Sequence, residues 1–262
     1  MDNDRLAGRR VLLIGGSAGI GRVVGQSLCA AGAHVAFAAR RVHLCEDVAR
    51  AAAGTAVGLG CDVTDEAQCQ RVVDEATERL GGLDDVVYST GLISIVALAT
   101  AGADVWRRTM ETNVMGAALV TRAALPSLRS SGGTAVYLSS VSSTGGPWPG
   151  LGVYTASKAA LNRMIETWRA EHPEVGFTRV LVGPTADAAT GAEWHPSAAA
   201  HMARHGAMGI TSGIQCPPTA VADAVAFALT SPARIWDVTV QPNDPPWPWP
   251  GVADGNGAVA SA

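Results

Sequence analysis

Short runs of aliphatic and β-branched residues alternate along this chain with longer stretches in which apolar positions recur every third or fourth residue. The first pattern predicts buried strands and the second predicts helices packed on them. Arg10–Gly15 reads as a strand and Gly19–Ala31 as a helix. Strands at Ala33–Ala39 and Ala56–Cys61 follow, with helices over 41–53 and 65–80. Further strands are expected at Asp85–Ser89, Thr134–Ser139, Phe177–Val182 and Trp236–Gln241, and helices at 103–128 and Gly152–Glu171. Strand-helix alternation of this kind predicts a parallel sheet covered on both faces. Right-handed crossovers then leave a doubly wound α/β sheet of about seven strands as the economical topology.

The rhythm runs to residue 241 without a linker, which predicts a single domain over 1–241. Residues 184–216, rich in Ala, His, Met and Gly, depart from it after the sixth strand. Ligands of such sheets bind beyond the carboxyl ends of the strands, so this insertion is a candidate substrate lid. The 242–262 tail, with its Pro-Pro-Trp-Pro-Trp-Pro run and Gly/Ala end, cannot continue a helix.

With 262 residues, 48% hydrophobic content and a net charge of −4, the chain has the composition of a soluble globular protein. Nothing in the charge pattern calls for nucleic acid. No apolar stretch approaches the ~20 residues of a membrane helix, so no membrane partner is expected. The apolar run Val11–Ile14 near the start is a buried strand and not a signal peptide. Five scattered cysteines without CxxC spacing read as thiols of a reducing compartment, which makes the expected location cytoplasmic.

The chemistry starts at Tyr154 and Lys158, four residues apart and therefore on one helix face. A nearby ammonium favours ionisation of a phenol, which suits Tyr154 to acid-base work. Where the first strand meets the first helix, the chain reads Gly15-Gly16-Ser17-Ala18-Gly19-Ile20-Gly21. Glycines at such a turn let backbone N–H groups approach a pyrophosphate at the helix N-terminus. The Gly-x₃-Gly-x-Gly spacing differs from the GxGxxG dinucleotide fingerprint.

The order of Gly15, Gly19 and Gly21, then Asp62-Val63, Asn113-Val114, Ser139-Ser140 and Tyr154-x₃-Lys158 resembles the short-chain dehydrogenase/reductase family over about residues 8–241. The resemblance implies a Rossmann-like domain and hydride transfer between NAD(P) and a carbonyl/alcohol pair. It assigns Tyr154 as general acid/base and Lys158 as the group that lowers the tyrosine pKa and holds the nicotinamide ribose. Asn113 matches the residue that kinks the long helix and relays protons through water. A serine that polarises the substrate oxygen usually precedes the tyrosine by about 13 residues, which reaches Val141. Ser140 is therefore the expected match, because it directly follows the strand, and Ser142 is its rival.

After the second strand, Ala39 stands where an acidic residue would favour NAD, and Arg40 and Arg41 follow. A guanidinium suits a 2′-phosphate, so NADP(H) is the expected cofactor and NAD(H) the alternative. Asp62 resembles the residue that holds the adenine edge, with Val63 packing on the ring. Gly15, Ser17, Gly19, Ile20, Gly21, Gly91, Pro184 and Thr185 complete the expected cofactor site. The chain departs from the family pattern at Ile14, at Tyr88-Ser89-Thr90-Gly91 and at Gly183-Pro184, which marks it as a divergent member.

Trp148, Trp194 and Met202, with Ser142, are the expected substrate residues, suited to a bulky apolar carbonyl or alcohol. His201 and His205 have a metal-compatible spacing without an obvious third ligand, so no metal is expected, only an exposed pair of lid histidines. A non-catalytic dinucleotide sensor or scaffold, or an epimerase/dehydratase of the same family, are the alternatives to a reductase. The resemblance further implies a homo-oligomer, tetramer or dimer, built partly from the helices carrying Asn113 and Tyr154.

Overall fold

The computed structural model describes residues 6–145, 147–186, 198–207 and 213–243. Seven strands form one parallel sheet in the order β3-β2-β1-β4-β5-β6-β7. They are β1 Arg10–Ile14, β2 His34–Ala39, β3 Ala56–Gly60, β4 Asp85–Tyr88, β5 Thr134–Ser140, β6 Gly176–Val182 and β7 Asp237–Val240. Helices α1 Gly19–Ala30, α2 Val42–Ala51, α3 Glu66–Leu80, α4 Ala103–Met110, α5 Gly116–Ser131 and α6 Gly152–Glu171 alternate with them. Helices α7 Ala198–Ala207 and α8 Pro218–Thr230 lie between β6 and β7.

Strand pleating divides the core in two. Leu12, Ile14, Ala36, Ala38, Val86, Tyr88, Ala135 and Tyr137 face α3, α5 and α6, meeting Val72, Val120 and Leu161. Val11, Leu13, Val35, Phe37, Val87 and Val136 face the opposite way, onto Val24, Leu28, Val48, Val221 and Val225 of α1, α2 and α8. Burying each such aliphatic side chain is worth roughly 1.5–3 kcal/mol. Helix α1 approaches closely because Gly25 has no side chain, a Cβ there falling 2.2 Å from Phe37.

At the amino ends of the strands, the carboxylate of Asp85 is fully buried and accepts two 2.7 Å hydrogen bonds from Arg9 and one of 2.9 Å from the Thr134 N–H. It ties β1, β4 and β5 together. At the carboxyl ends, β1 sits between β2 and β4, so the chain leaves β1 and β4 toward opposite faces and opens a crevice there.

The expected helix over 103–128 is interrupted. A π-helical turn at Glu111–Met115 separates α4 from α5, with Asn113 buried inside it. Helix α8 was not expected from the pattern at all.

Candidate active site

Each strand delivers something to the crevice. After β1, Gly15 adopts φ +92°, and a Cβ on it would fall 2.7 Å from the Thr90 nitrogen. Gly21 is tighter still, since a Cβ there would lie 2.2 Å from the Gly15 carbonyl oxygen and 2.9 Å from the Ser89 hydroxyl. Gly19 takes φ +54° as α1 begins. The helix has no side-chain cap at Ala18 and no acidic residue in its first turn. Its first N–H groups thus keep their positive potential for an anion.

Arg40 and Arg41 follow β2, both exposed, and neither pairs with a carboxylate among the described residues. After β3, Asp62 folds into a turn in which its Oδ1 accepts from the Thr64 N–H at 3.0 Å and the Thr64 hydroxyl at 2.8 Å. Gly91, beyond β4, lies against the lysine: a Cβ there would be 3.4 Å from Lys158 Nζ and 3.6 Å from Asn113 Oδ1.

The π-helical turn aims Asn113 inward, where its side chain makes three hydrogen bonds. Oδ1 accepts from the Leu92 N–H at 2.7 Å, and Nδ2 donates to the Leu92 carbonyl at 3.0 Å and the Ser157 hydroxyl at 2.9 Å. Ser157 in turn donates to the Tyr154 carbonyl at 2.7 Å. Asn113 thereby clamps the segment after β4 onto the first turns of α6.

The chemistry-bearing groups converge on α6 and the end of β5. Tyr154 is buried on α6, and the Ser140 hydroxyl beside its phenol draws the phenol's pKa down. Ser140 Oγ also lies 2.9 Å from Ser142 Oγ and accepts from the Ser142 N–H. Lys158 Nζ donates to the Leu138 carbonyl at 2.7 Å and stands 5.9 Å from the centre of the Tyr154 ring. Burial pulls Lys158 down from its ordinary 10.5 to about 8. An apolar cluster of Ile93, Ile95, Trp148, Leu151 and Ala198 encloses Tyr154 on one side.

The short chain dehydrogenase family model matches residues 9–195. This chain belongs to the short-chain dehydrogenase family. The family's phosphate turn, Asp62-Val63, Asn113, Ser140 and Tyr154-x₃-Lys158 all lie within the matched stretch. Over 188 residues the short-chain dehydrogenase is 37% identical to an 11-beta-hydroxysteroid dehydrogenase A from Sesamum indicum, which covers 69% of this chain and 53% of the relative. The chain therefore spans about half the length of that protein. An uncharacterized oxidoreductase from Listeria innocua is 28% identical over 243 residues, 90% of this chain and 97% of its own. Among solved structures, a dehydrogenase/reductase from Sinorhizobium meliloti superposes with a TM-score of 0.77 at 27% identity, covering 89% of this chain and 94% of that one.

Several expected site residues are placed differently from the sequence reading. The Tyr154 phenol is pushed up to about 12 by burial and only partly drawn back by Ser140, while Lys158 Nζ donates to the Leu138 carbonyl. Val63 packs into the core beside α3, so its side chain is not a free platform for a ring. Thr185 is buried, its hydroxyl donating to the Gly183 carbonyl at 2.9 Å, while the Pro184 carbonyl accepts from the Cys216 N–H at 2.8 Å. Met202 is 40% exposed on α7. His205 is not an exposed lid residue: it is buried at 1% exposure, with Nε2 2.6 Å from the Pro149 carbonyl oxygen. Trp194 lies outside the described residues. Among those described, no group of three or more His, Cys, Asp or Glu could hold a metal, and no helix is long and apolar enough to cross a membrane. All five cysteines are buried free thiols.

Proposed function

We propose that this short-chain dehydrogenase is an NADP(H)-preferring oxidoreductase that interconverts a ketone and a secondary alcohol bearing a bulky apolar group. The observation that carries the reading is the convergence of the Tyr154 phenol, the Ser140 hydroxyl and the Lys158 ammonium, which lies 5.9 Å from the centre of the tyrosine ring. Two hydroxyls brought together at the end of a strand can both reach one substrate oxygen.

The crevice fits a dinucleotide on its own geometry. Side chains are missing at Gly15 and Gly21 where a Cβ would collide with backbone, and the α1 N-terminus beside them is uncapped. A pyrophosphate would lie at that turn. Asp62 would take the adenosine end, and Arg40 and Arg41, which pair with no carboxylate among the described residues, suit a 2′-phosphate. When bound, the nicotinamide supplies or accepts the hydride.

The remaining steps fall on the chain itself. With its phenol near 12, Tyr154 is protonated at neutral pH and is poised to donate its proton to a carbonyl oxygen. Ser140 steadies that oxygen with a second hydrogen bond. Lys158, mostly charged at pH 7, offers the positive field that stabilises the phenolate left behind. Asn113 holds the segment after β4 against α6 through Leu92 and Ser157, which keeps Tyr154 and Lys158 in place. Ile93, Trp148 and Leu151 keep water from the phenol and favour an apolar substituent. Exposed Trp106 on α4 and Met115 just before α5 support a self-association face on the helices carrying Asn113.

The test is Tyr154→Phe, which removes one oxygen from a buried ring. Ketone reduction with NADPH should disappear while NADPH affinity, followed by fluorescence, stays within about twofold. Turnover within about tenfold of wild type would end the assignment.

A further inference from the structure

We infer that His205 is a positioning residue that latches α7 onto the Trp148–Gly150 turn and so sets the apolar wall facing the substrate. This rests on the ketone reading above. Helix α7 belongs to neither of the two clusters that flank the sheet. Of its ten residues only Ala198 and His205 are buried. Among the described residues, its side-chain polar attachment is the bond from His205 Nε2 to the Pro149 carbonyl oxygen at 2.6 Å. The imidazole also meets Trp148 edge to face, with ring centres 5.5 Å apart and planes at 78°.

The turn beneath is shaped to receive this helix. Gly150 takes φ +83°, and a Cβ there would come within 2.5 Å of the His201 ring, so α7 rests directly on glycine backbone. The Gly150 carbonyl accepts from the Val96 N–H at 2.7 Å, and the Trp148 carbonyl from the Leu151 N–H at 2.9 Å. Latch, turn and wall are thus contiguous: Trp148 and Ala198 complete the cluster of Ile95, Leu151 and Tyr154. Freeing His205 withdraws both from the side of the phenol.

Histidine suits such a joint. Its ring fills an apolar seat, and its hydrogen bond to Pro149 would be exchanged for water if the helix lifted, so the net loss would be small. A Phe at this position would pack but strand the Pro149 carbonyl. The wall is felt only by a substrate long enough to reach Trp148, which makes His205 a determinant of size preference and leaves the proton transfer at Tyr154 alone.

Hydrogen exchange on the uncomplexed protein and steady-state kinetics with NADPH test this together, using His205→Ala and His205→Gln. In the alanine variant, amide exchange over 148–151 and 198–207 should rise at least about tenfold, with the sheet unchanged. KM for acetophenone should rise about tenfold with kcat within about twofold, and the kinetics of 2-butanone should not move. Glutamine, whose amide can donate to the same carbonyl, should recover most of both effects. Unchanged exchange at 148–151, equal losses with both ketones, or no recovery by glutamine would each overturn the latch. If the wild type reduces neither ketone, the substrate reading falls, and the exchange experiment alone decides the role of His205.

Discussion

Lys158 is enclosed between α6 and β5, at 3% exposure, and its burial should be readable as a pH-dependent stability. Its ammonium falls from 10.5 in the unfolded chain to about 8 in the folded one. At about 1.36 kcal/mol per pKa unit, enclosing the charge costs about 3.4 kcal/mol wherever both states are protonated, that is, below about pH 8. Above that pH the folded state releases its proton first, so the burden lifts as pH climbs toward 10.5. By pH 9.5 only about 1.4 kcal/mol remains, a recovery of about 2 kcal/mol from pH 7. Lys158→Met keeps the volume and removes the titration. Urea denaturation of both proteins at pH 7 and pH 9.5 should show the wild type gaining about 2 kcal/mol relative to the variant. Burial of Cys29 and Cys45 raises their thiols to about 11, which works in the opposite direction, but the two proteins share it and it cancels in the difference. Tyr154 near 12 also opposes the trend, though only above pH 10. A difference that stays flat, or falls, would mean that Lys158 is solvated or fully compensated by the Leu138 carbonyl.

The same geometry carries three further expectations. Gly21→Ala places a methyl 2.2 Å from the Gly15 oxygen, so NADPH affinity by fluorescence titration should drop at least about tenfold; unchanged binding would remove this turn from the cofactor site. Arg40→Ala should weaken NADPH about tenfold and leave NADH untouched, because only the former carries a phosphate for the guanidinium; equal effects on both would return the preference to NAD. Asp85→Ala leaves Arg9 without its two 2.7 Å partners and should cost about 3–5 kcal/mol in urea denaturation, a loss below 1 kcal/mol showing that the pair does not tie the strands.

Much of the sheet was legible because each central strand is apolar on both faces and ends in a glycine, serine or arginine. Val11–Ile14, Val35–Ala38 and Ala135–Leu138 have no other reading than buried strands, and the helices between them imply parallel pairing. Helix α8 carries a signal that is easily passed over: Pro218 opens it, and Val221, Val225 and Leu229 recur every fourth residue among alanines. Small alanines on both faces blunt the contrast on which amphipathic patterns depend. The family motif located Tyr154, Lys158 and Asn113, yet it could not foresee that burial raises the Tyr154 phenol, a property of the completed enclosure. His205 had no local signature, since its partners Trp148 and Pro149 lie more than fifty residues away in the chain.

The hydrogen bonds of Glu111–Met115 span one residue more than those of the α-helices on either side. That extra residue makes the segment sensitive to chain length where most helix surfaces tolerate change. Deleting Thr112 would let α4 and α5 fuse into one regular helix, improving the backbone locally. It would also remove the widened turn that aims Asn113 inward. Thr109 would stay beside Ser94 at 2.8 Å, but the clamp that Asn113 makes between Leu92 and Ser157 would lose its geometry. Here a better helix and a working crevice are alternatives, and the count of residues decides between them.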